Sequence, residues 1–157
     1  MVLFIGAGSN ASFAYLDATY DRFTEVVGGV EVDRVGNTLP NSPKWKIILG
    51  AEYMLDFANG DTLTLRGDLS WQDDVYFRPS NLPQFSSEPF TVINARLTYQ
   101  PDNADWLIAA YVRNLTDTTY ATYRTAGITP NGNTDENLPL AVFGEPRQYG
   151  VQLRYSF

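Results

Sequence analysis

The sequence predicts an all-β fold, an antiparallel up-and-down meander of about six strands that forms a partial segment of a transmembrane β-barrel. Three observations support this prediction. Apolar and polar side chains alternate with a period of two through most of the chain. Short turns alternate with long loops, and aromatic residues lie near the ends of the apolar rows, as at membrane interfaces. Because membrane barrels begin at about eight strands, we expect the chain to be a fragment of a larger barrel.

The first three predicted strands lie near residues 2–23, 43–57 and 62–78. Odd positions in them are mostly apolar, and in the second and third strands the even positions are mostly polar or charged. Since successive side chains of a strand point to opposite faces, each strand has one apolar row. These rows contain Leu3, Ile5, Ala7, Ala11, Phe13 and Tyr15, then Trp45, Ile47, Leu49, Ala51, Tyr53 and Leu55, then Leu63, Leu65, Gly67, Leu69 and Trp71.

The last three predicted strands lie near residues 89–100, 105–124 and 146–157. The fifth is apolar on both sides until Arg113, so its sequence does not indicate which residues belong to the apolar face. The fourth and the sixth alternate clearly, with apolar rows of Ile93, Ala95, Leu97 and Tyr99 and of Tyr149, Val151, Leu153, Tyr155 and Phe157.

The connections between the predicted strands alternate in length. Residues 57–61 (FANGD) and 101–105 (PDNAD) form short turns rich in turn-forming residues. The other connections, roughly residues 24–42, 78–89 and 125–145, are long and rich in Gly, Asn, Pro and acidic residues. Short turns at one end and long loops at the other are typical of bacterial outer-membrane barrels.

The two faces of the predicted sheet differ in polarity, and we expect the polar one to face a water-filled lumen. It carries four full charges, on Arg66, Asp68, Arg96 and Arg154, which water solvates well and lipid does not. A small soluble β-barrel that binds an apolar ligand is the alternative, and it requires the apolar rows to point inward. The residues expected to face lipid are Trp45, Ile47, Leu49, Leu63, Leu65, Leu69, Ile93, Leu97, Val151, Leu153 and Tyr155.

Composition excludes several classes of function. The net charge of −7 argues against binding to nucleic acid, which needs clusters of Lys and Arg. The chain has no Cys, so it has neither a disulfide nor a thiolate site, and no His, so a Ser-His-Asp triad is excluded. The adjacent carboxylates at 73–74 and 135–136 are interpreted as exposed loop charges. We therefore expect no enzyme activity, no cofactor and no metal site.

Two motifs carry a resemblance to a known family. Residues 112–120 read VRNLTDTTY, and residues 144–157 read GEPRQYGVQLRYSF. Together they resemble the closing signature of TonB-dependent receptors, in which an Asn-Leu-Thr-Asp strand end is followed by a long loop, a Gly-x-Pro-Arg segment and a last strand ending in Phe. Residues 15–23 (YLDATYDRF) and 36–46 (GNTLPNSPKWK) resemble late strands of the same family more weakly. The signature residues are Asn114, Leu115, Thr116, Asp117, Gly144, Pro146 and Arg147.

The resemblance implies a barrel of about 22 strands around an N-terminal plug, located in the bacterial outer membrane. It implies that residues 1–157 are the C-terminal strands, with the plug domain and the earlier strands absent. The expected partners are outer-membrane lipid, the TonB complex through the absent N-terminal region, and a small-molecule substrate such as a ferric siderophore. Vitamins, other metal chelates and glycans stay open as substrates. The lumen charges would then line the substrate path or pair with the plug, and both interpretations stay open.

The final strand also resembles the signal that the outer-membrane assembly machinery recognises. That signal has a polar residue, a Gly two positions later, spaced apolar residues and a terminal aromatic. Recognition by strand addition is physically reasonable, because an exposed edge pairs through its main chain while alternate side chains set the register. The matching residues are Gln148, Gly150, Leu153, Tyr155 and Phe157.

Overall fold

The computed structural model of the protein describes residues 2–128 and 134–156. It confirms the all-β fold. A six-stranded antiparallel sheet follows the order of the chain, so the predicted meander is confirmed as well. The twelve strands of the described residues are β1 (Val2–Tyr15), β2 (Thr24–Val27), β3 (Val30–Asp33), β4 (Trp45–Phe57), β5 (Thr62–Gln72), β6 (Val75–Tyr76), β7 (Ser86–Ser87), β8 (Phe90–Gln100), β9 (Trp106–Arg113), β10 (Ala121–Ile128), β11 (Thr134–Phe143) and β12 (Gln148–Tyr155). The large sheet has the order β1-β4-β5-β8-β9-β12.

The other six strands form three two-stranded ribbons, β2–β3, β6–β7 and β10–β11. β2, β3, β7 and β11 lie in the predicted long loops, whereas β6 and the start of β10 lie in the predicted third and fifth strands. A 3₁₀ turn at Pro83–Phe85 precedes β7. The turn between β2 and β3 uses Gly28 and Gly29, whose φ angles of 59° and 82° suit a residue without a Cβ. The long connections are therefore partly regular structure.

Three predicted strands were too long. The first ends at Tyr15 and not near 23, and the third ends at Gln72 and not near 78. The fifth was predicted to run to 124, but β9 ends at Arg113 and a separate strand begins at Ala121. The physical reason in the fifth strand is the left-handed backbone at Asn114 and Asp117, with φ angles of 49° and 55°, which no extended strand tolerates.

The register of the sheet aligns the alternating rows across neighbouring strands. Leu65 is paired with Tyr53 and with Leu97, and Leu97 is paired with Ala110. Arg66 on the opposite face is paired with Glu52 and with Arg96, and Arg96 with Tyr111. The register thereby settles the parity of β9, which the sequence left open. Ile108, Ala110 and Val112 belong to the apolar face, and Leu107, Ala109, Tyr111 and Arg113 belong to the polar face.

Most of the buried apolar side chains lie among the loops and not on the sheet. Val75, Phe77 and Ala121 form a small cluster where β6 approaches β10, and Phe85 beside them is fully buried. The apolar face of the sheet is open instead, with Leu65 52% exposed and Val151 70% exposed. No helix in the described part of the chain is long and apolar enough to cross a membrane.

Candidate functional site

The polar face of the sheet holds a groove of about 750 Å³ that spans β5, β8, β9 and β12. Strand alternation and register bring its side chains together, because residues on one face of paired strands lie about 5 Å apart. The polar side chains lining it are Arg66, Asp68, Asn94, Arg96, Tyr111, Arg113 and Gln152. These residues come from four strands, so the groove exists only once the register is set.

Arg66 at one side of the groove is neutralised by its neighbours. Its Nε and Nη2 atoms donate to the carboxylate of Asp68 at 3.0 and 2.8 Å, which is a two-point pairing. Its Nη1 atom also lies 3.6 Å from a carboxylate oxygen of Glu52. One cation therefore meets two anions here, and this side of the groove carries no surplus positive charge.

Arg96 and Arg113 have no such neutralisation. Arg96 donates from Nε to Thr98 Oγ1 at 3.3 Å and from Nη2 to Gln152 Oε1 at 2.8 Å, and both acceptors are neutral. The guanidinium of Arg113 lies 5.7 Å from the centre of the Tyr111 ring, within the range of a cation–π contact. Within residues 2–128 and 134–156, neither side chain has a carboxylate oxygen within 4.0 Å.

Arg154 lies on the same face but outside this groove. The register pairs it with Leu107, two residues along β12 from Gln152. It lines a second groove of about 420 Å³ near the short turns, together with Gln100, Asp105 and Trp106. The structure thus brings three of the four predicted lumen residues together and leaves Arg154 apart. That this face lines a lumen remains a prediction.

Asn114 closes the base of the connection that contains β10 and β11. Its side chain is nearly buried, with the residue 3% exposed. Oδ1 accepts from the backbone N–H of Thr118 at 2.9 Å, and Nδ2 donates to the carbonyls of Thr118 at 2.9 Å and Glu145 at 3.0 Å. Its own N–H donates to Asn94 Oδ1 at 3.0 Å. One amide side chain therefore joins the end of β9 to the segment that precedes β12.

Asp117 and Arg147 add a second connection between the same two segments. Asp117 Oδ1 accepts from the backbone N–H of Arg147 at 2.9 Å, and its other carboxylate oxygen lies 3.8 Å from the guanidinium. Gly144 lies directly beneath the ring of Tyr120, so a Cβ at this position would overlap the ring. We call Asn114, Asp117, Gly144 and Arg147 the clasp. Four residues of the predicted signature therefore lie together in space.

The other three signature residues lie around the clasp. The N–H of Leu115 donates to the carbonyl of Ile93 at 2.8 Å, which anchors the segment to β8. The hydroxyl of Thr116 is 2.9 Å from that of Thr118. Pro146 lies two residues before β12, where no ladder donor is needed.

The proposed assembly signal maps onto β12, except for Phe157, which lies outside the described residues. Gln148 is paired with Arg113. Gly150 is paired with Tyr111, and a Cβ on Gly150 would lie 2.7 Å from the Tyr111 hydroxyl oxygen. Leu153 and Tyr155 are exposed on the apolar face, at 69% and 61%. Recognition of this signal by the outer-membrane assembly machinery stays a prediction.

Comparison with known proteins identifies the family of the chain. The family model for the TonB dependent receptor-like β-barrel matches residues 5–115, which is more than half of the chain. The chain belongs to this family. Its members are outer-membrane receptors and transporters that interact with TonB, and they are not enzymes. No curated protein and no solved structure matches the chain.

The matched range runs through the strands of this TonB-dependent receptor barrel from β1 to the end of β9. Sequence reasoning missed several of the side chains that line the polar groove in this range, namely Asn94, Tyr111 and Arg113, and it also missed Gln152 beyond it. Asn94 and Gln152 were visible as members of polar rows. Tyr111 and Arg113 were hidden because β9 is apolar on both faces.

The three long connections of the receptor barrel pack against each other at one end of the sheet. Asn81 joins the first two, since its Oδ1 accepts from the N–H of Thr38 at 2.6 Å and its Nδ2 donates to the Thr38 carbonyl at 2.9 Å. The second and third meet where Phe77 packs edge-on to Tyr123, with ring centres 6.0 Å apart. These loops therefore form a continuous packed layer.

The two short turns at the other end are joined by Asp61. Its carboxylate accepts from the Tyr99 hydroxyl at 2.6 Å, from the N–H of Asp102 at 3.1 Å and from Asn59 Nδ2 at 2.7 Å. The hydrogen bond from Tyr99, followed by that from Asp102, lowers the pKa of Asp61 below its usual 3.8. The bonds to Tyr99 and Asp102 connect neighbouring hairpins at this end of the sheet.

Proposed function

We propose that this chain forms the C-terminal strands of an outer-membrane receptor that imports a small ligand, with energy supplied through the TonB complex. The observation that carries the proposal is the family match over residues 5–115. The plug and the earlier strands of the barrel belong to this proposal, because a closed membrane barrel needs every strand edge paired.

The two faces of the sheet support this function. Large apolar side chains such as Leu97, Val151 and Leu153 are 43–70% exposed on one face, which is unfavourable in water and favourable in lipid. The other face carries Arg66, Asp68 and Arg96, which suit an aqueous path.

A ferric siderophore is the substrate that we propose. An iron chelate built from carboxylate or catecholate oxygens carries negative charge, and the polar groove presents Arg96 and Arg113 without carboxylate partners among the described residues. Guanidinium groups bind such oxygens with two donors at once. The electrostatic match supports an anionic substrate, and the family supports an imported one.

The alternative, a soluble barrel with an apolar ligand inside, needs the apolar rows to be enclosed. In the structure, Leu65, Val151 and Leu153 are all more than half exposed. The polar groove on the opposite face is lined largely by charged and amide side chains. These observations favour the membrane barrel.

The test is an uptake assay in the bacterium that encodes the protein. Deleting the gene should abolish uptake of at least one radiolabelled ferric siderophore from a panel, and the complete gene supplied in trans should restore it. The same strain with a TonB deletion is the control, because energy-coupled import must fail there too. Unchanged uptake of every chelate in the panel contradicts the siderophore assignment, and a tagged protein absent from the outer-membrane fraction contradicts the receptor function.

A further inference from the structure

The short turn at residues 57–61 contains the dipeptide Asn59–Gly60, whose backbone and side chain can react with each other. The backbone nitrogen of the residue after an Asn can attack the carbon of the Asn side-chain amide. Gly permits this attack more readily than other residues because it has no Cβ and the backbone moves freely. Asn59 and Gly60 are both exposed, so water reaches them. The turn therefore holds every group that the reaction needs.

Packing requires the glycine at position 60. Its φ angle of 87° lies in the left-handed region, and a Cβ here would overlap the carboxyl group of Asp102 in the neighbouring short turn. Any other residue at this position would strain the backbone and displace Asp102. The reactive neighbour of Asn59 is thus one that the fold demands.

The closed turn keeps the reacting groups occupied. The N–H of Gly60 donates to the Phe57 carbonyl at 2.9 Å. Asn59 Nδ2 donates to Asp61 Oδ2 at 2.7 Å, and Asn59 Oδ1 accepts from the N–H of Asp61 at 3.4 Å. Because Asp61 holds both ends of the side-chain amide, the turn must open locally before the attack can occur.

From this arrangement we propose that Asn59 is a site of spontaneous deamidation and that its contacts with Asp61 set the rate. The Gly60 nitrogen forms a bond to Asn59 Cγ and gives up its proton, the C–N bond of the side-chain amide breaks, and ammonia leaves. One water molecule then opens the resulting cyclic imide at either carbonyl. The products are aspartate and isoaspartate, and the net change replaces the amide NH₂ by OH.

The product would weaken the connection between the two short turns. An acidic side chain at position 59 would face the Asp61 carboxylate with like charge, where the amide of Asn59 now donates a hydrogen bond. The same carboxylate accepts from the Tyr99 hydroxyl at 2.6 Å and from the N–H of Asp102 at 3.1 Å. Repulsion from position 59 therefore acts on the group that joins both turns.

The experiment follows deamidation in the complete gene product, held in isolated outer membranes at mildly alkaline pH. Mass spectrometry of the tryptic peptide of residues 47–66 reports on Asn59 alone. Peptide resolution is needed because a second Asn-Gly pair, residues 131–132, lies outside the described residues. Asn103 is the internal control, since it is exposed in the other short turn and donates to Asp102 Oδ2 at 3.0 Å, but is followed by Ala104.

Asn59 should convert while Asn103 stays an amide. The same protein unfolded in urea should convert Asn59 faster than the folded protein by about fivefold or more, because the contacts that close the turn are then lost. Equal conversion at Asn103, or no conversion of Asn59 in the unfolded protein, overturns the proposal.

Two variants test the control by Asp61. Asp61→Ala should raise the rate in the folded protein about fivefold, the equilibrium weight of one hydrogen bond. Tyr99→Phe is the matched control, because it removes another bond of the same carboxylate and leaves both contacts with Asn59, so the rate should stay within about twofold. An equal rise in both variants would mean general loosening of the turns and would overturn the role of Asp61. Slower conversion in Asp61→Ala would overturn it too, since the carboxylate would then assist the reaction.

The effect of the product is tested with Asn59→Asp in the complete gene product in detergent micelles. Asn103→Asp is its control, because it adds the same charge beside Asp102 instead of Asp61. At neutral pH, Asn59→Asp should lower the urea midpoint more than Asn103→Asp does, and the difference should vanish below about pH 3, where the carboxylates are largely protonated. Equal midpoints at neutral pH, or a difference that persists in acid, contradict the repulsion at Asp61. None of these measurements depends on the imported substrate, so this inference and the transport function can fail separately.

Discussion

Replacing Asn114 by Ala should strongly destabilise the barrel segment, because three side-chain hydrogen bonds of the clasp are lost at once. The side chain accepts a hydrogen bond from the N–H of Thr118 and donates to the carbonyls of Thr118 and Glu145. Asn114 is buried, with 3% of the residue exposed. Each such bond contributes about 1 kcal/mol net. The backbone φ of 49° suits Asn and Gly but costs Ala about 1 kcal/mol more. The expected total is about 4 kcal/mol.

Asn114→Gly separates the two contributions. It removes the same hydrogen bonds but accepts the left-handed backbone, so we expect a loss of about 3 kcal/mol. Asn103→Ala is the control, since Asn103 is exposed and its side chain donates a hydrogen bond to the adjacent Asp102. That substitution should change stability by less than about 0.5 kcal/mol.

The assay is urea unfolding of the complete gene product in detergent micelles, followed by tryptophan fluorescence; the three tryptophans of residues 1–157 all lie in strands of the large sheet. The free energy of unfolding is extrapolated to zero denaturant for each variant. A loss below about 1 kcal/mol for Asn114→Ala would refute the role given to the clasp. So would Asn114→Gly proving less stable than Asn114→Ala, because the backbone argument requires the opposite order.

Three further predictions concern the last strand, the turns and the lipid face. Gly150→Ala should reduce the amount of assembled protein in the outer membrane because its Cβ meets the Tyr111 hydroxyl, and Tyr111→Ala in the same chain should restore it; an equal defect in the double variant contradicts this mechanism. Because its hydrogen bonds lower the pKa of Asp61 below 3.8, Asp61 stabilises the fold above that pH and loses this effect as the pH falls through the folded-state pKa. Asp61→Asn should therefore make the unfolding midpoint less sensitive to acid as the pH falls below about 4, and an unchanged acid sensitivity there would argue against the Asp61 connection. Spin labels at Val151 and Leu153 should be accessible to oxygen dissolved in lipid and labels at Gln152 and Arg154 should not, so accessibility that fails to alternate along β12 would rule out the assignment of faces.

Local geometry explains why much of the fold was predictable. Leu65 and Arg66 are adjacent in sequence and lie on opposite faces of β5 because successive residues of any strand do so. The alternation in the last strand places Val151 and Leu153 on one face for the same reason. Short turns between Phe57 and Asp61 and around Asp102 were visible from their turn-forming residues, and hairpins of that kind dictate antiparallel neighbours.

The ends of the strands were harder to predict than their existence. The resemblance marked Asn114 as the end of a strand, yet the fifth strand was predicted to extend to residue 124. Asn114 has a left-handed backbone, and its side chain donates to the Glu145 carbonyl, 31 residues away. A contact at that separation exists only after the chain has folded.

The sequence by itself therefore determined the strand pattern, the polarity of the two faces and the family signature, because each depends on residues close together along the chain. The tertiary structure decided which residues of β9 lie on each face of the sheet and which side chains line the polar groove. Leu107 to Val112 are apolar in both rows, so only pairing with Arg96 and its neighbours could assign Tyr111 and Arg113 to the polar face. Arg96 meets Gln152 across 56 residues, a contact that follows from the register of four strands. The hairpin turns and the matching of apolar and polar rows between neighbouring strands set that register, and the spacing of residues along one strand does not contain it.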